Sequence, residues 1–399
     1  MLIWKLLKRL LLISIICLIG NASCNTKMGY EDPNLPELSF ARDLQEAIDQ
    51  VLLSYSDYDL GISAAVIVLG YRTWTGVSGY SHQNVPISTD MLFDIGSIEK
   101  NFEAALVLKL VEEDILSLDD PVSKYLPTYP NVDEGITICQ LLDHTSGLFN
   151  VFEHPDFPWV GTDVDYSKKW KIDEVFKAFV LDPYGPPGYA QHYSCTNYLL
   201  VTAIIEEATG STVPDEIERY FLDPMKLENT FVSMGEQPPA QHSVAHPWVD
   251  VDRDGDLDDL YGIPRTWIAS LTHPVMFSTP GDLVRWMQAL YHEGTVISPN
   301  SLAEMLTYPQ ATLYDPDGAI YGLGVVDYSD ILGMRAIGHA GSSLGYSAAA
   351  LYLPEYNISV AWLINTGENP QELAGQMMYD AGLALSDVIR VNEKSIPLK

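Results

Sequence analysis

The sequence predicts an α/β chain of the α+β type: an antiparallel sheet built from both chain ends, flanked by helices, with a mostly helical lobe inserted between them. Three observations predict it. Early in the chain, GISAAVIVLGYRTWTGVSGYS reads as two strands around a turn near Gly70. Late in the chain, GYSAAALYLP and ISVAWLINTG read as two more strands, joined through residues 354–357. The middle carries apolar residues at helical spacing over 97–116, 136–143, 172–181, 196–209, 214–222 and 280–293. Each strand pair also has a helix beside it: ARDLQEAIDQVLLSYS at 41–56, and PQELAGQMMYDAGLALSDVI after the last strand. A sheet must bury its apolar faces, and these helices are placed to cover one.

Before the first helix lies an export signal. Lys5, Lys8 and Arg9 precede LLLISIICLIG, an apolar run too short for a comfortable membrane span. The run leads into NASC, where Ala22, Ser23 and Cys24 resemble the lipobox of bacterial lipoproteins. In such a box the cysteine is lipidated; Asn21 stands where an aliphatic residue is usual. The expected location is the periplasm or cell envelope, with Cys24 lipidated, or otherwise the medium. Residues 1–24 are thus a signal, 25–40 with Pro33 and Pro36 a linker, 41–390 the folded domain and 391–399 a tail.

The net charge of −32 disfavours nucleic acid and anionic lipid surfaces as partners. The only membrane contact expected is the anchor, and a monomer is expected. Of four cysteines, Cys139 and Cys195 remain after the signal and Cys24. An exported chain could join them in a disulfide, although their spacing alone does not show that they meet.

The chemistry starts at FDIGSIEKNFEAALVLKL. Ser97 stands at the mouth of an apolar run, and Lys100 follows three positions later. Residues three apart share a helix face, so Lys100 reaches Ser97 if a helix begins here. A serine hydroxyl needs a base to attack, and a buried lysine gives up its own proton more readily than an exposed one. The helix start also supplies backbone N–H groups for a developing oxyanion. Two further segments qualify as partners. In HYSCTNYLL, Tyr193 precedes a helical run and can shuttle a proton as phenol and phenolate. In IGHAGSSLGYSAAALYL, the glycines near His339 let a substrate approach the backbone closely.

Taken together, S-x-x-K at Ser97, Y-x-C at Tyr193 and H-x-G at His339 resemble the serine β-lactamase and penicillin-binding-protein superfamily, in its class C β-lactamase, DD-peptidase and esterase branch. ITICQLLDHTSGL, PPGYAQHYSCTNYLL and FSTPGDLVRWMQAL are similar to its connecting segments, so the resemblance spans roughly residues 41–385. The resemblance implies a β-lactamase-like fold and Ser97 as acylated nucleophile. It also implies Lys100 and Tyr193 as shared general base, and the amides of Ser97 and Ser342 as oxyanion hole. Cys195, His339 and Gly341 fall at substrate-binding positions.

Two of these depart from the family pattern. Cys195 replaces the asparagine of Y-x-N, and a thiol is a weak donor and acceptor. His339 replaces a lysine, and histidine is largely neutral at pH 7. Both changes favour an exported serine hydrolase acting on an ester, an amide or a D-residue peptide over an efficient β-lactamase. The alternative is a catalytically silent penicillin-binding or sensor module. No cofactor is expected for catalysis. Tyr129-Pro130-Asn131 repeats the Y-x-N pattern but falls in a loop, His144 of LLDHTSGL reads as part of a structural turn, and a helical turn aims Asn197 away from the substrate.

Asp250, Asp252, Asp254 and Gly255 match the first half of a calcium loop, and Asp256 and Asp258 add carboxylates. The twelfth position is Tyr261 rather than an acid, so an incomplete structural calcium site and a solvated acidic loop both stay open. Trp248, Tyr261, Trp267 and Phe277 nearby are either a pocket for the substrate or core.

Overall fold

The two chain ends meet in one sheet. The computed structural model describes residues 33–160, 164–233, 238–239, 241–271, 274–309, 312–313, 320–367 and 371–396. The signal sequence and Cys24 lie outside the described residues. Five long antiparallel strands make up the sheet, in the order Ile337–Ser343, Tyr346–Leu353, Ile358–Ile364, Gly61–Val68 and Trp74–His82. The first and last halves of the chain join where Ala64 faces Trp362. Tight turns connect the predicted pairs, with left-handed residues at Gly70 and Asn357. Shorter strands extend both sides of the sheet. On one side, Val326–Asp327 pairs with Ile320–Tyr321 and, along strand Ile337–Ser343, with Ile337 and Gly338 alone. In the described sheet, residues 339–343 therefore have no strand on their outer side.

The inner strands are buried on both faces, and alternation assigns each side chain to one of two cores. Ile62, Ala64, Val66 and Val68 face one core, with Leu44 and Ile48 of helix Ala41–Leu53 and Met377, Ala381 and Leu385 of helix Gln371–Val391. Ala65 and Ile67 face the other, which continues into the helical lobe through Trp286 of helix Pro280–Gln288. Trp362 fits because small residues, Ala64 and Ala349, oppose it on the neighbouring strands.

The lobe follows the predicted helices with local differences. The first begins as a 3-10 turn, Gly96–Ile98, and continues as the α-helix Glu99–Glu112. Two predicted helices, near 214–222 and 280–293, widen into π turns in their second halves. Thr137, Thr212 and Thr279 cap their helices by accepting a backbone N–H. The linker and tail are packed where they meet the domain, because Leu38, Phe40 and Ile396 bury apolar surface in the core beneath the terminal helices.

Candidate active site

The site forms where the helical lobe meets the open stretch of strand. Ser97 lies in the 3-10 turn, half-buried, and Lys100 lies in the first turn of a helix that is buried nearly all round. The Lys100 side chain is fully buried, and its Nζ donates to Ser97 Oγ at 2.9 Å. Tyr193, two residues before helix Cys195–Thr209, brings its hydroxyl to 2.8 Å from the same oxygen. Lys100 Nζ also lies 5.5 Å and 5.4 Å from the ring centres of Tyr193 and Tyr198. Three residues far apart in the chain thus converge on one hydroxyl.

Strand Ile337–Ser343 docks onto the Ser97 turn through backbone rather than side chains. A Cβ on Gly341 would lie 2.0 Å from the Ile95 carbonyl oxygen and 2.6 Å from the Ser97 amide nitrogen. A Cβ on Gly96, whose φ is +50°, would lie 2.5 Å from the Ser342 carbonyl oxygen and 2.8 Å from its amide nitrogen. Only glycine fits either position, and the fit places the amides of Ser97 and Ser342 side by side. Asp94 fastens the same joint, accepting from Gly96 N at 3.0 Å and from Ser343 Oγ at 2.6 Å.

His339 is buried on that strand, and its Nδ1 pairs with the Ala340 carbonyl at 2.5 Å. Burial, and then the charge of Lys100, lower its pKa to about 3. The imidazole is therefore neutral near pH 7. Cys195 is buried with Sγ 3.7 Å from the Tyr193 hydroxyl, and Asn150 Oδ1 accepts its backbone N–H at 3.2 Å. Cys139 and Cys195 are both free thiols, which removes the disulfide that an exported chain could have carried. Burial pushes the Cys139 thiol up to about 12.

Other candidates lie away from the nucleophile. Tyr129 stacks on Phe176 at 4.6 Å, and Asn131 Nδ2 donates to the Val180 carbonyl, so that Y-x-N match is structural. Asn197 is held by His144 and Ser146. The four aromatics do not make one pocket. Trp267, with Phe157, Trp159 and Trp170, lines a cavity of about 340 Å³. Phe277 is core beneath Arg265, Tyr261 stacks on His246, and Trp248 Nε1 donates to the Ser81 carbonyl. In the acidic loop, carboxylate oxygens of Asp250, Asp252 and Asp254 lie within 4.8 Å of one another, while Asp256 and Asp258 stand outside this group. Asp258 instead accepts from Val251 N.

Tyr321 and Asp94 were not singled out by the sequence. Tyr321 packs on the rings of Tyr193, His144 and His339, at 5.4, 5.0 and 5.9 Å. It carries no local motif, whereas the position of Asp94 beside the nucleophile turn was a usable signal.

Two outcomes follow from this geometry. Gly341→Ala must push the strand off the Ser97 turn, and turnover of any substrate of the site is expected to fall about 100-fold or more, as for loss of an oxyanion donor. Unchanged turnover in the purified variant would exclude a role for this close approach. For His339 the sign is set by a lowered folded pKa. Below about pH 6.5 the unfolded chain binds a proton there that the folded chain refuses, so His339 weakens stability as pH falls toward 3. Between pH 6 and 4, denaturant unfolding of His339→Asn is expected to lose about 1.4 kcal/mol less per pH unit than the wild type. Parallel stability curves would contradict the buried neutral imidazole.

The family model described as Beta-lactamase matches residues 57–384. Penicillin-binding protein 4* of Bacillus subtilis (strain 168) is 27% identical over 303 residues, covering 72% of this chain and 63% of that protein. Teichoic acid D-alanine hydrolase of Staphylococcus aureus is 30% identical over 157 residues, covering 38% of this chain and 36% of that protein. The chain thus matches less than two thirds of either relative's length. Among solved structures, a D-stereospecific amidohydrolase from Streptomyces sp. superposes with a TM-score of 0.71 at 28% identity, covering 84% of this chain and 98% of that one. The fold, the matched span and these relatives agree: the chain belongs to the beta-lactamase family of serine hydrolases.

Proposed function

We propose that the protein hydrolyses an ester or amide of a D-amino acid through an acyl-enzyme on Ser97, in preference to β-lactams. The observation that carries this reading is the convergence of Lys100 Nζ and Tyr193 OH on Ser97 Oγ at 2.9 and 2.8 Å. Ser97 Oγ attacks the carbonyl carbon while its proton passes to the Tyr193 oxygen, which acts as phenolate beside the Lys100 charge. The carbonyl oxygen takes up the negative charge against the amides of Ser97 and Ser342. Tyr193 then protonates the leaving alcohol or amine as its bond to the acyl carbon breaks. Water, deprotonated by Tyr193, attacks the acyl-enzyme ester and releases the acid and the serine hydroxyl.

The D-amino-acid reading draws support from the names of the relatives, an amidohydrolase stereospecific for D-residues and a D-alanine hydrolase. The preference against β-lactams rests on Cys195 and His339, which supply neither a side-chain amide nor a cation at neutral pH. Export is part of the proposal on the strength of residues 1–24 and Cys24 alone. Recovery of the native chain in the cytosol with its N-terminus intact would overturn that part.

The test is a panel of p-nitrophenyl esters, D-aminoacyl anilides and nitrocefin, with intact mass after fluorophosphonate. Esters or D-aminoacyl anilides are expected to turn over faster than nitrocefin, and Ser97→Ala is expected to lose about 10⁴-fold or more together with the covalent adduct. A mass that never shifts would refute the acyl-enzyme. Acylation without turnover would support the silent binding module, the reading that the thiol at Cys195 favours.

The acidic loop is proposed as a calcium site because its three clustered carboxylates are hard oxygen donors that repel one another without a cation. Added Ca²⁺ is expected to raise Tm by several degrees over EDTA, at roughly 1 kcal/mol of stabilisation per few degrees. The shift should vanish in Asp250→Asn; equal Tm values in Ca²⁺ and EDTA would leave the loop a solvated one.

A further inference from the structure

His144 is expensive where it stands. It is buried, and it adopts φ +60°, the left-handed region that glycine and asparagine occupy at lower cost. Its Nδ1 accepts from Ser194 N at 3.2 Å and from Asn197 Nδ2 at 2.9 Å. A backbone amide only donates, so Nδ1 is an acceptor and the proton of the neutral ring sits on Nε2. That Nε2–H is buried with no hydrogen-bond partner among the described residues. Backbone strain and an orphaned donor each weaken the fold. A residue that only filled space would escape the orphaned donor as leucine, and both costs as glycine.

The return on that cost is the placement of Tyr193. The His144 carbonyl accepts from His192 N at 2.9 Å, and its Nδ1 accepts from Ser194 N, so one residue holds the amides on both sides of the tyrosine. Its ring packs on the Tyr193 ring with centres 4.5 Å apart. Asn150 extends the clamp by one residue, taking the amide of Cys195. We infer that His144 is the positioning residue for Tyr193, holding the phenol on Ser97 through a two-sided backbone clamp that needs an acceptor at Nδ1. Burial, with Lys100 and His339 nearby, lowers the His144 pKa well below the usual histidine value, which keeps that acceptor unprotonated. The inference rests on the proposed role of Tyr193 as the proton-transfer group.

The experiment compares His144→Phe, His144→Asn, Tyr193→Phe and the His144→Phe/Tyr193→Phe double variant. Tm is measured on each, and single-turnover acylation by a p-nitrophenyl ester gives the acylation rate constant and the apparent substrate Kd. Phenylalanine keeps the ring volume and removes the acceptor; asparagine places an oxygen near the Nδ1 position and tolerates positive φ. His144→Phe is expected to slow acylation about 100-fold, the size of one proton-transfer contribution, with Kd changed by less than about threefold. His144→Asn should restore the rate to within about tenfold of wild type. In the Tyr193→Phe background, His144→Phe should cost almost nothing more, since it acts through the missing hydroxyl. Wild-type acylation in His144→Phe, an equal loss in His144→Asn, or additive losses in the double variant would each overturn the inference. Tyr193→Phe at the wild-type rate would overturn the role of Tyr193, and with it a clamp that serves that role. A slow Tyr193→Phe beside a fast His144→Phe would overturn the clamp alone.

Discussion

The site depends on how closely two backbones approach. The turn at Gly96–Ile98 belongs to the helical lobe, and strand Ile337–Ser343 belongs to the sheet made by the chain ends. They touch where Gly341 faces the Ser97 amide and Gly96 faces Ser342. A methyl group on either glycine would force lobe and sheet apart and separate the two amides. Asp94 closes the same joint from the side, through Gly96 and Ser343. The pairing of the first and last long strands is thus also what carries one half of this backbone contact to the other.

Charge at this joint is arranged around a buried Lys100. The two histidines beside it have depressed pKa values, first through burial and then through the lysine charge, so they stay neutral near pH 7. A permanent cation at 339 would face Lys100 across a desolvated interior, where like charges are costly. A neutral imidazole at 339 avoids that repulsion, and it gives up the means to bind a substrate carboxylate by charge. The acidity of the whole chain works in the same direction.

What was legible in the sequence was local. A short apolar run such as GISAAVIV, and the three-residue spacing of Ser97 and Lys100, are short-range patterns that survive folding almost unchanged. Tyr193 was legible through its setting before a helical run. The clamp on it was not, because His144 and Ser194 are fifty residues apart and meet only when helix Ile138–Leu142 packs near helix Cys195–Thr209. The aromatics near 248–277 were ambiguous for a related reason: composition marks them as apolar, and only the packing separates Trp267 and Phe277 in the core from the exposed Tyr261. The burial of Leu38, Phe40 and Ile396 was hidden by polar and proline-rich neighbours.

Cys195 bears on substrate choice through what cannot replace it. Its thiol sits 3.7 Å from the Tyr193 hydroxyl, where the family pattern has a side-chain amide. The nearest asparagine in sequence, Asn197, is not free to serve, since its amide nitrogen is on His144 and its oxygen accepts from Ser146. Asn150 accepts at Oδ1 from the backbone of Phe152 and Cys195, and its amide nitrogen donates to Glu153. On the lobe side these three residues therefore present the acyl portion of a substrate with a weakly polar sulfur and no free amide. Across the site stand residues 339–343, whose outer side has no paired strand in the described sheet, while Tyr328 Oη accepts the Ala340 N–H at 3.0 Å. A backbone edge binds an extended amide through main-chain hydrogen bonds, so the proposed preference for D-residues would rest on main-chain contacts rather than on a charged side chain.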